Sequence, residues 1–81
     1  MDMNDPKVIE LSFRVLESII LKCEGKNYED TMKVAQMMNQ NAQAGNYPEE
    51  LKLGYTEAIN KLETLNESQI NDLRDMLKSE E

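Results

Sequence analysis

Two pairs of carboxylates stand close enough in the chain to hold a divalent cation: Glu49 with Glu50, and Asp72 with Asp75, the second pair spaced to share one helix face. Acids are also favoured at helix starts and on solvated faces for ordinary electrostatic reasons. Neither pair belongs to a calcium-loop spacing or to an inward-facing Glu-x-x-His. No metal site is therefore expected. The chain has no histidine, which removes the commonest general base and the commonest metal ligand together. Cys23 is the one thiol, and it falls on the apolar side of its helix with no basic neighbour implied, the setting of an inert buried group. Ser12, Ser18, Ser68 and Ser79 have neither a histidine base nor a nucleophile-elbow glycine pattern around them. Gly25, Gly45 and Gly54 are isolated, so no phosphate-cradling loop is formed. The residues point to a protein that is not an enzyme and carries no cofactor.

Charge narrows the choice of partner. The net charge is −7, divided as −1 over residues 1–26, −1 over 27–46, −2 over 47–65 and −3 over 66–81. An acidic chain repels phosphate backbones and anionic headgroups, so direct contact with nucleic acid or membrane is disfavoured and a protein with a basic surface is favoured. Two helices joined near Gly45 invite a helix-turn-helix reading, but the helix that would enter the groove begins Pro48-Glu49-Glu50. The opposite idea, an acidic mimic of nucleic acid that occupies a DNA-binding enzyme, fits the sign of the charge. It fits the pattern less well, because nine basic residues are interspersed among sixteen acidic ones. Solubilisation accounts for such a mixture more simply.

A single cysteine rules out an intramolecular disulfide, residues 1–6 carry acids where a signal peptide carries bases, and the longest aliphatic run is Ile19-Ile20-Leu21. These features suggest a cytoplasmic protein with no membrane-spanning segment. Asn66-Glu67-Ser68 matches a glycosylation sequon, which has meaning only on a secretory route.

The elements that must position these residues are helical. Between Asp5 and Glu24, Leu11, Val15, Val8, Ile19, Cys23, Leu16, Ile9, Ile20 and Phe13 fall in that order across an arc of about 200° at 100° per residue. That face is too wide for one neighbouring helix, so this element is either the centre of the bundle or meets a partner chain as well. Asp5-Pro6 should start it and Gly25 stop it. Asn27 should cap a second helix from about Tyr28 to Ala44, with inner residues Tyr28, Met32, Ala35, Met38 and Ala42 and with Gly45 as a left-handed C-cap. A third helix should open at Pro48 and carry the stripe Leu51, Tyr55, Ala58, Leu62, Leu65. Gly54 beside that stripe costs about 1 kcal/mol of helix propensity relative to Ala, which a close helix crossing would explain. Asn66 and Gln69 form a capping-box pattern, with Leu65 and Ile70 in staple positions, so a short fourth helix should run to about Lys78 with Ile70, Leu73 and Leu77 inward. Glu10–Arg14, Glu29–Lys33 and Glu57–Lys61 are acid-first pairs at four-residue spacing, the mark of solvated faces.

The expected fold is thus all-α: one domain over residues 1–81, a compact bundle of three long helices and one short C-terminal helix, with 1–4 a flexible leader and 79–81 a frayed tail. An 81-residue chain buries only about 60–65% of its unfolded surface, so burial against a partner or a second copy would add stability. Apolar residues off the main stripes supply the candidate partner-binding set: Leu21, Val34, Met37, Leu53 and Met76. Gln36, Asn39, Gln40, Asn41, Gln43 and Asn46 form a dense amide set, and because helix propensity is poor at the asparagines the segment from Asn39 to Asn46 is expected to fray first and is a candidate contact loop. The function expected is that of a small acidic protein–protein interaction module, a regulator or inhibitor. A homo-oligomeric structural component and the nucleic-acid mimic are the alternatives.

Overall fold

The computed structural model describes residues 4–80. The chain forms four helices: α1 (Pro6–Lys22), α2 (Tyr28–Ala44), α3 (Glu49–Glu63) and α4 (Glu67–Ser79). Their lengths are 17, 17, 15 and 13 residues, so the expected all-α bundle is present and α4 is only slightly shorter than α3. No strand occurs among the described residues. Of the expected leader and tail, residues 1–3 and 81 lie outside the described residues. Ser79 belongs to α4, where its hydroxyl donates to the Met76 carbonyl at 2.8 Å, and Glu80 is the C-cap.

Local chemistry fixes the helix starts. Asp5 Oδ1 accepts from the Lys7 amide at 2.8 Å with Pro6 at the first helical position, and Asn27 Oδ1 accepts from the Asp30 amide at 2.8 Å. Asn66 and Gln69 close a reciprocal capping box at 2.8 and 2.9 Å. Pro48 is the N-cap of α3 rather than its first helical residue and offers no side-chain cap. Gly45 is the C-cap of α2, but its backbone is extended (φ −80°, ψ 172°) and not left-handed. What this position requires is room: a Cβ there would lie 2.4 Å from the Tyr47 ring. The one left-handed residue among those described is Gly25, which turns the chain between α1 and α2 at φ +84°.

Packing centres on α1, which touches all three other helices and meets α3 most extensively. Val8, Ile19, Ile20, Cys23 and Leu62 are buried in the core, with Ala35 of α2 and Ala58 of α3 facing them. Each large aliphatic side chain removed from water in this way contributes roughly 1.5–3 kcal/mol. Ser12, at the centre of the α1 arc, is fully buried; its hydroxyl donates to the Ile9 carbonyl at 2.6 Å. The small residue there lets α3 approach closely. A Cβ on Gly54 would stand 3.0 Å from Leu11 Cβ and 3.4 Å from the Ser12 amide nitrogen, so the expected close crossing lies where α3 passes Leu11 and Ser12.

The join between α1 and α4 rests on Arg74, which periodicity alone does not single out. Its side chain is only 7% exposed, yet it is satisfied by oxygens of the main chain and of an amide rather than by a carboxylate. Nε donates to the Ile20 carbonyl at 2.9 Å, one terminal nitrogen to the Cys23 carbonyl at 3.2 Å, and the other to Asn71 Oδ1 at 2.8 Å. The last carbonyls of a helix lack intrahelical partners and carry partial negative charge, so a guanidinium there satisfies both requirements. Alongside it Lys78 pairs with Glu24, whose carboxyl is held below its ordinary range first by that hydrogen bond. Lys7 makes the corresponding link from α1 to Glu50 of α3 at 3.0 Å.

Two substitutions test this packing by chemical denaturation. Gly54→Leu should destabilise the fold by about 1–3 kcal/mol through overpacking, against a helix-propensity gain of about 1 kcal/mol; a more stable variant would contradict the crossing. Arg74→Met, which keeps the stem but takes the guanidinium from the Ile20 carbonyl and leaves the Cys23 carbonyl only its bond from the Lys26 amide, should cost about 1–3 kcal/mol, and Arg74→Lys should recover only part of it because an ammonium cannot reproduce the fork. An unchanged midpoint for the methionine variant would remove the capping role.

Candidate functional site

The α1 arc is wider than its neighbours cover. Its far edge, Phe13, is 49% exposed, and beside it α4 presents Met76 at 59%. Between them lies an open groove of about 420 Å³. Phe13, Leu16 and Ile20 form the α1 wall, while Leu73, Met76 and Leu77 form the α4 wall. Leu65, in the middle of the α3–α4 connection, completes the apolar lining. Leu65 and Ile70 are positioned by the capping box that starts α4, so the α4 wall is set by the same local chemistry that begins the helix.

Polar groups stand at the edges of the groove. Lys61 Nζ lies 5.3 Å from the centroid of the Phe13 ring and is paired with Glu57 at 2.9 Å. This Glu57–Lys61 pair is therefore not on a fully solvated face as its spacing suggests: the lysine folds over the aromatic edge, a cation–π arrangement, and its charge is met by its own carboxylate. Glu17 and Glu80 also line the groove, and among the described residues neither is in an ion pair. The other two expected helix pairs form on outer faces, Glu10–Arg14 at 2.9 Å and Glu29–Lys33 at 3.6 Å.

The five residues read from sequence as partner-binding do not converge. Met76 alone of them lines the groove. Met37 is 62% exposed on α2, away from it, while Leu21 and Leu53 are half-buried on α1 and α3. Val34 packs against the core cluster, so its place off the main α2 stripe does not make it spare surface. Phe13 was visible in the sequence only as the last member of the α1 arc. Nothing in the spacing marks it as the exposed one, because that depends on where α4 docks.

The end of α2 is better held than its asparagines suggest. Gln43 Nε2 reaches across to α3, 2.8 Å from the Lys52 carbonyl and 3.3 Å from Thr56 Oγ1, as well as 3.1 Å from Asn39 Oδ1. A smaller hollow of about 230 Å³ sits beside it between α2 and α3, with Tyr47 and Tyr55 in its lining.

Cys23 is buried, and burial pushes its thiol above the ordinary value despite the opposing charges of Lys26 and Arg74. Lys26 and Arg74 are thus basic groups near the thiol that the sequence reading did not foresee, and the Arg74 donors go to the Ile20 and Cys23 carbonyls and Asn71. Among the described residues no three cysteine or carboxylate groups converge as a metal site would require, and no helix is long and apolar enough to cross a membrane. Neither a protein-family model, nor a curated protein, nor a solved structure matches this chain.

Proposed function

We propose that this chain is a non-catalytic protein-interaction module that takes a protein partner at the groove between α1 and α4 and regulates or inhibits the protein it covers. One observation carries the reading: Phe13 and Met76, two large apolar side chains about half exposed, face each other across a groove whose remaining lining is mainly aliphatic. A contiguous apolar hollow on so small a domain is the usual physical mark of an interaction site. The burial of the one thiol and the lack of histidine support the non-catalytic part of the reading. A cytoplasmic setting belongs to the same reading and rests on the single unpaired cysteine. The mimic reading has less support, because five ion pairs interleave cations among the acids.

The test is affinity capture of the tagged chain from its native cell extract at moderate and high salt, alongside Met76→Glu and Met37→Glu, with helix content checked by circular dichroism. A stoichiometric protein that survives high salt, is lost with Met76→Glu and is kept with Met37→Glu is the expected result. A partner held equally by both variants would move the site off the groove, and no partner at either salt would end the reading.

A further inference from the structure

Resting on that reading, we infer that the groove takes an amphipathic helix with a basic flank, its apolar stripe seated between α1 and α4 and its cations against Glu17 and Glu80. Length sets the first part. Phe13 and Ile20 on one wall and Leu73 and Glu80 on the other are each seven residues apart, about 10 Å of helix axis. That is the span of one i, i+3/i+4, i+7 set of anchors on a docking helix. An extended strand has nothing to pair with here, since the walls are helices whose backbone hydrogen bonds are already made.

Charge sets the second part. The groove's ionic lining consists of Glu17, Glu80 and Lys61, and Lys61 is occupied by Glu57 at 2.9 Å and by the Phe13 ring. The groove therefore presents two carboxylates that make no ion pair among the described residues, on a chain of net charge −7. A cationic flank complements this rim and is steered towards it, whereas an anionic or neutral helix gains nothing from it. A second copy of this chain would bring the same −7 to the interface, which disfavours self-occupancy.

The probe is a fluorescent Leu/Lys peptide of about 18 residues, long enough to hold a helix on docking, with its leucines in one i, i+3, i+4, i+7 stripe. Its comparisons are a permuted peptide of the same composition without the stripe, and a Leu/Glu analogue. Fluorescence anisotropy with the full chain should give saturable one-to-one binding of the striped Leu/Lys peptide, at least about tenfold tighter than the permuted one. Met76→Glu should weaken it by about tenfold or more, and the double variant Glu17→Lys/Glu80→Lys should shift preference towards the Leu/Glu analogue. Equal binding of the permuted peptide, or binding unaffected by Met76→Glu, would overturn the inference, as would Met76-dependent dimerisation of the chain alone. If the native partner is still captured through the groove while the striped peptide fails to bind, the helix class falls and the interaction module stands; if neither binds, both fall.

Discussion

The width of the apolar arc on α1 is the constraint from which the rest of the structure follows. A helix with such a face cannot be buried by one neighbour, and here three helices share the task. The most extensive contact is made by α3, where Gly54 passes Leu11 and Ser12 so tightly that a Cβ would stand 3.0 Å from Leu11 Cβ, and a buried serine rather than a bulky side chain occupies the centre of the arc. Ala35 and Ala58 continue the same use of small residues where helices must come near, with Ile19, Ile20 and Leu62 filling the space between. The edge of the arc that the neighbours do not reach, at Phe13, becomes one wall of the groove.

The position of α4 decides how much of that edge stays open. Its apolar residues alone would allow it to slide along α1, because aliphatic contacts are weakly directional. Arg74 removes that freedom by placing two donors on the Ile20 and Cys23 carbonyls while a third, on Asn71 of its own helix, holds the side chain in place, and Lys78 with Glu24 adds an ionic link at the same end of α1. Bringing a guanidinium out of water is tolerable because each buried polar side-chain atom among the described residues finds a partner. The anchor that completes α1 thus also sets the separation of Phe13 and Met76.

Features governed by neighbours in sequence were legible from the sequence. The caps at Asp5, Asn27 and Asn66, the Gln69 box, the three acid-first ion pairs and the bounds of α2 all depend on residues within four positions of each other. Gly54 was readable too, because a helix-interior glycine is costly unless something approaches it. Long-range contacts were not. Arg74 lies 54 residues from Ile20, whose carbonyl it caps, and no spacing rule connects them. Val34 was placed off the α2 stripe and yet packs on the core, since two neighbouring helices widen the buried face beyond a single stripe. Gly45 looked like a left-handed cap and proved to be a space requirement of the Tyr47 ring. The groove was hidden for the same reason: its walls are set by docking geometry, and of the five residues expected to bind a partner only Met76 belongs to it.

One surface links the fold to the proposed function, an arc sealed from Val15 to Cys23 and left open at Phe13. Paramagnetic relaxation from a soluble probe, measured by NMR on side-chain protons of the free chain, examines that surface directly. An open groove gives strong relaxation at the Met76 methyl and the Phe13 ring, almost none at Ile19 and Leu62, and no change on dilution. Phe13 and Met76 as well protected as Ile19 would contradict it, because the edge would then be covered and no groove would stand open for a partner.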